Sequence, residues 1–263
     1  MMENVDVYLQ KEEELFQRWK KNMKIKEENF CCDGLLYKGE IKRDESNKWY
    51  REPGNESELW DNSPLKILLF SKYPNDNYDI RSATGYNHKS NNKTVTNQFF
   101  KNLVIWVYGI YKRIIEESNI SFGDLDEDEY INYWENKISI VRVNCSKILQ
   151  DNDIIRFFDN NKYKKYIKEQ LDLYNANFIY CCGRDKSLRY IIKKLFLSDF
   201  ESVVGDWTYY SSSKKALLIN GYSPSARFSF ERMYEELMEK LNLSLEKRPI
   251  YQSQFKHQED IKD

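Results

Sequence analysis

Lys66-Ile67-Leu68-Leu69-Phe70, broken at once by Ser71-Lys72-Tyr73-Pro74-Asn75-Asp76, decides the fold class. A strand with one wet face alternates apolar and polar side chains. This run does not alternate, so both its faces require cover, the pattern of a parallel sheet set between helices. Residues 138–143, 177–182 and 216–219 form three more such runs, and each ends in a polar turn.

Between the runs the apolar period changes from continuous to helical. Phe99, Phe100, Leu103, Val107, Ile110, Tyr111 and Ile114 recur at three- and four-residue spacing, as do Tyr163, Tyr166, Ile167, Leu171 and Tyr174. Leu188, Ile191, Ile192 and Leu195 follow, then Phe230, Met233, Tyr234, Leu237 and Leu241. Strands alternating with amphipathic helices predict a three-layer α/β/α sandwich on a four-stranded, mainly parallel central sheet. Residues 61–245 carry this domain. Residues 1–60 read as a helical and loop extension packed on it, with Leu15, Phe16, Trp19 and Met23 as the apolar face of a charged helix. Residues 124–129 read as an acidic surface loop, and 246–263 as a polar tail.

Composition narrows the function classes. The chain has 263 residues with 41 Lys and Arg against 42 Asp and Glu, so no global field draws it onto nucleic acid, and any such affinity has to come from a local patch. No apolar stretch approaches the ~20 residues of a membrane span, and the N-terminus has no apolar signal core; a cytoplasmic protein with no membrane partner is expected. The five cysteines, Cys31, Cys32, Cys145, Cys181 and Cys182, show no Cys-x-x-Cys spacing and read as reduced thiols. His88 and His257 are the only histidines, which argues against a Ser-His-Asp engine and against a zinc site. Neither a Gly-x-Gly-x-x-Gly turn nor a phosphate-binding P-loop is present, so no cofactor and no metal is expected.

In an open parallel sheet, ligands bind at the carboxyl ends of the strands. Those ends carry Ser71 to Asp76, Asn144-Cys145-Ser146-Lys147, Gly183-Arg184-Asp185-Lys186, and Tyr222-Ser223-Pro224-Ser225-Ala226-Arg227. In this order, and together with Phe30-Cys31-Cys32-Asp33-Gly34, Trp106 to Gly109 and Lys168-Glu169-Gln170-Leu171, the motifs resemble the uracil-DNA glycosylase superfamily, in particular its uncharacterised bacterial branch.

The resemblance implies roles. Asn144 matches the residue that reads a flipped base, and Tyr78 or Tyr86 would supply the stacking face beneath it. Asp76 or Asn75, beside Pro74, would hold the attacking water. Ser225 and the amides after Pro224, placed at the start of the last helix, match the segment that grips DNA phosphate, with Lys72 and Arg227 as further phosphate contacts. Ser223 stands where the family has the His of a His-Pro-Ser motif, so a hydroxyl replaces the imidazole that stabilises the departing base. The implied partner is DNA.

Plainer readings compete at each position. Asn75 and Asp76 suit an Asx turn, Asn144 a strand-end turn, and Ser223 or Ser225 a helix N-cap. Lys162, Lys164, Lys165 and Lys168 suit a solvated helix face. Three functions therefore stay open: a DNA base-excising hydrolase, a non-catalytic nucleic-acid- or protein-binding member of the same fold, and a small-nucleotide hydrolase.

Overall fold

The computed structural model describes residues 6–74, 78–86, 95–148, 161–184 and 186–256. The helices are α1 (Val7–Met23), α2 (Glu56–Asn62), α3 (Gln98–Ile114), α4 (Glu127–Asn136), α5 (Asn161–Tyr174), α6 (Lys186–Leu195), α7 (Phe230–Lys247) and α8 (Pro249–Lys256). The strands are β1 (Gly34–Leu35), β2 (Ile41–Arg43), β3 (Trp49–Arg51), β4 (Ile67–Ser71), β5 (Ile140–Asn144), β6 (Phe178–Cys182), β7 (Glu201–Val204), β8 (Thr208–Ser211) and β9 (Ala216–Gly221). No helix among the described residues is long and apolar enough to cross a membrane.

The four apolar runs become β4, β5, β6 and β9, which lie side by side in the order β5-β4-β6-β9 with every pair parallel. Every residue of these four strands is buried. Leu68, Phe70, Val141, Val143, Ile179, Cys181 and Leu218 face one core with Trp19 of α1, Leu171 of α5 and Ile191 of α6. Ile67, Leu69, Ile140, Phe178, Tyr180, Cys182, Leu217 and Ile219 face the other, with Trp106 of α3, Tyr133 of α4, Leu237 of α7 and Tyr251 of α8. Two covered faces leave no position for a polar alternation, and this explains the continuous runs.

The sheet has seven strands, not four: β1 pairs antiparallel with β5 at one edge, and β8 and β7 extend the other edge antiparallel beyond β9. The three additions escape a hydrophobic-run criterion for physical reasons. β1 is two residues long, β7 is partly solvated, and β8 is Thr208-Tyr209-Tyr210-Ser211, whose hydroxyls find partners such as Ser244 Oγ to Thr208 Oγ1 at 2.7 Å. A separate hairpin, β2–β3, stands outside this sheet.

The acidic stretch 124–129 is not a loop throughout, for α4 begins inside it. Asp126 caps the helix by accepting from Glu129 N at 2.8 Å, and Glu127, Asp128 and Glu129 occupy the first turn, where the helix dipole favours negative charge. Residues 1–60 contribute β1 to the main sheet and Trp19 to its core, where the indole lies 5.0 Å from the Tyr163 ring and 5.3 Å from that of Tyr166. Beyond residue 245, α8 buries Tyr251 and Phe255, so the start of the expected tail is packed structure.

Candidate strand-end site

Parallel strands bring Ser71, Asn144, Cys182 and Gly221 to one end of the sheet, and the strand order reverses at β4, which makes that end a crevice. Asn144 pairs with Ser71 across β5 and β4. Its side chain is fully buried, and neither amide atom has a hydrogen-bond partner among the described residues. A buried amide without partners costs ~1–3 kcal/mol, so its retention calls for a physical reason.

The backbone of Asn144 is held tightly. Its N–H donates to Asp33 Oδ2 at 2.7 Å, and its carbonyl accepts from Lys147 Nζ at 3.0 Å. The Lys147 ammonium lies 2.5 Å and 2.7 Å from the two Asp33 oxygens, with both side chains wholly excluded from solvent. Gln170 Nε2 donates to Asp33 Oδ1 at 2.8 Å, and Tyr163 Oη accepts from Lys147 N at 2.9 Å. Three sequence motifs far apart in the chain, around Asp33, Asn144 to Lys147 and Gln170, thus close into one network that fixes the strand end. In the sequence Asp33, Lys147 and Gln170 stand in quoted motifs without a role of their own, whereas Asn144 has one. The signal was a Lys and an Asp inside apolar surroundings, which in a core must find each other.

A pocket of about 710 Å³ opens on the α3 face of the sheet. Trp49 and Tyr50 of the β2–β3 hairpin, Tyr78, Tyr86, Phe99 and Phe100 give it flat aromatic walls, and Arg142 of β5 lines it as well. Tyr86 meets Trp49 edge-on with ring centres 6.2 Å apart. Both aromatics singled out from the sequence therefore reach one cavity. Asn144 lies two residues beyond Arg142 on the same face of β5, outside the residues that line the pocket.

The loop after β9 is tied to the same helix that supplies Phe99 and Phe100. Asn102 Nδ2 donates to the Pro224 carbonyl at 2.6 Å, and Gln98 Nε2 to that of Ala226 at 2.5 Å. Ser223 and Ser225 share a hydroxyl–hydroxyl hydrogen bond of 2.8 Å. Neither caps the last helix. Ser229 does so, accepting from Arg232 N at 3.2 Å, because a turn closed by Ala226 N to Ser223 O sets these serines one turn upstream of α7. The amides after Pro224 are therefore not at a helix N-terminus. Arg227 and Lys72 are exposed and Pro74 is buried, whereas Asn75, Asp76, His88 and His257 lie outside the described residues.

Asp79, the next carboxylate after Asp76, is committed elsewhere. It accepts from Arg81 Nε at 2.9 Å and Nη2 at 2.6 Å, while Glu12 takes Arg81 Nη1 at 2.8 Å. Three of the thiols are held toward the protonated form by their surroundings. Burial pushes Cys31 and Cys32 up to about 12, and Cys182 to about 11 despite the nearby Ser71 hydroxyl and Arg142 charge. Cys181 and Cys182 face opposite cores, as alternation along a strand requires. No known protein family matches the chain, and no curated protein is significantly similar to it.

Proposed function

We propose that the protein is a uracil-DNA glycosylase-like protein that takes a base of DNA into the strand-end crevice and hydrolyses its N-glycosidic bond. The observation that carries this reading is Asn144: a fully buried amide with both polar atoms unpartnered, locked in place by the Asp33–Lys147 pair. An amide of this kind offers one donor edge and one acceptor to the Watson–Crick edge of a base. Tyr78 and Tyr86, in the wall of the neighbouring pocket, supply aromatic faces.

In this reading a water that Asn75 can position and Asp76 deprotonates adds to the anomeric carbon. The carbon–nitrogen bond breaks, its electron pair leaves with the base, and the water's proton passes to the carboxylate. Ser223, in place of an imidazole, gives the departing base at most a neutral hydroxyl donor. A preorganised donor at such a charge is worth ~3 kcal/mol, or ~100-fold in rate, so excision is slow and Ser223→His raises it.

A second reading, base binding without excision, is favoured by one specific observation: the Ser223 hydroxyl is engaged with that of Ser225. Single-turnover release from oligonucleotides carrying uracil or other modified bases separates the two. Asn144→Leu tests both, since replacing an unpartnered buried amide with an apolar side chain of similar size keeps or raises stability while base-dependent binding disappears. Undiminished discrimination between modified and normal DNA in that variant refutes the role of Asn144.

A further inference from the structure

Of the five most deeply buried cations among the described residues, four have carboxylate partners and Arg142 does not, while the half-buried Lys38 gives its ammonium to the Trp134 carbonyl. Lys20 has Glu27 at 2.5 Å, Arg51 has Glu135 at 2.7 Å, Arg81 has Glu12, Glu13 and Asp79, and Lys147 has Asp33. Arg142 is 7% exposed, yet among the described residues it forms no ion pair and its guanidinium makes no hydrogen bond; Nε is buried without a partner. Among the described residues the ring that lies against it is Phe99, 4.4 Å from the guanidinium carbon. Attraction to a single ring is smaller than the cost of withdrawing a guanidinium from water.

The surroundings say what would complete it. Arg142 sits in the middle of β5, where its main chain is fixed by β4 on one side and β1 on the other, and it lines the aromatic pocket. Phe99 lies against the guanidinium carbon, which leaves the planar fork of Nη donors for an acceptor. Among the described residues that line the pocket, the two other charged side chains are Lys48 and Asp44. Asp44 Oδ1 is already taken by the backbone N–H groups of Ser46 and Lys48, each at 2.8 Å, in the hairpin turn. The volume suits a small molecule, and walls of Trp49, Tyr78, Tyr86 and Phe99 suit a flat ring.

We infer that this pocket binds a small planar ligand bearing an anionic group, with Arg142 receiving the phosphate or carboxylate and the aromatic walls receiving the ring. The inference does not depend on base excision or on Asn144, since it rests on Arg142 and the pocket that Arg142 lines, and Asn144 is not among the residues of that pocket. It gives a physical reason for an arginine set between Val141 and Val143 in a buried strand.

Calorimetric titration of the full chain with four probes tests it: uridine 5′-monophosphate, uridine, orotate and uracil. The charged member of each pair binds about 10- to 100-fold more tightly than its neutral counterpart, the range expected of a charge-assisted contact. Preference within the first pair alone identifies a phosphate ligand, and within the second alone a ring carboxylate. Arg142→Met abolishes the preference while its thermal midpoint stays level or rises, because Met replaces an unpaired buried charge; Arg142→Lys keeps part of the preference. Equal binding of charged and neutral probes by the wild type, or no binding of any, overturns the inference without recourse to a variant. A Met variant that still prefers the anions does so as well, as does one that loses stability like a structural arginine. Failure of base excision, by contrast, leaves these titrations unaffected.

Discussion

Lys147→Met is the sharpest probe of the network beneath Asn144. It removes the ammonium from a pair whose two side chains are both wholly buried and leaves the Asp33 carboxylate in the core. Breaking a buried pair from one side costs ~3–5 kcal/mol. Asn144 N and Gln170 Nε2 still donate to that carboxylate, which places the expected loss near the lower end, at ~3 kcal/mol. Asp33→Leu costs more, because it strands the ammonium with the Asn144 carbonyl as its acceptor and also orphans the Asn144 N–H, a further ~1–3 kcal/mol. In the double variant no buried charge remains, so it is expected to be more stable than Asp33→Leu alone, by ~2 kcal/mol, although it carries one more substitution. Urea unfolding followed by far-ultraviolet circular dichroism measures all three, with unchanged m values confirming a common transition. A loss below ~1 kcal/mol for Lys147→Met, or a double variant less stable than either single one, refutes the argument that this pair is a mutually dependent buried unit.

Stability should also fall at alkaline pH. The unfolded chain releases thiol protons near ~8.5, whereas burial holds Cys31 to about 12 and Cys182 to about 11. Below the unfolded value both states keep the proton and nothing is lost; above it each of these thiols subtracts ~1.4 kcal/mol per pH unit until its folded value is reached. Urea midpoints measured from pH 8 to 10 check this, and a slope unchanged by Cys31→Ala with Cys182→Ala contradicts it. Trp19→Ala, at a fully buried indole packed on Tyr163 and Tyr166, should cost ~3–5 kcal/mol and lower a single cooperative melting transition of the whole chain. A melt in which only a minor early phase shifts would mean that α1 folds apart from the sheet.

The four central strands were legible because each is buried on both faces, and this writes an uninterrupted apolar run into a few consecutive residues. Helix faces were legible for the same local reason: Leu15, Phe16 and Trp19, or Leu188, Ile191 and Ile192, recur at helical spacing and are buried together. Asn144 and the aromatics Tyr78 and Tyr86 could be picked out because strand ends and the loops after them are where a parallel sheet gathers ligands. The edge strands could not be read so. β8 satisfies the Thr208 hydroxyl through Ser244, a residue 36 positions away, and β1 acquires strand geometry only by lying against β5.

What tertiary structure alone decided is which charges meet. Asp33 and Lys147 stand 114 positions apart, and Arg81 reaches Glu12 across 69, so no local pattern announces either pair. The same holds for a missing partner. Arg142 is one basic residue within the apolar run 138–143, and only the packed core reveals that its guanidinium faces Phe99 and a cavity and meets no carboxylate among the described residues. Periodicity and burial are set by neighbours within a turn or a strand, so the sequence carries them. Charge pairing in a core depends on distances between remote segments, and those distances exist only once the chain has folded.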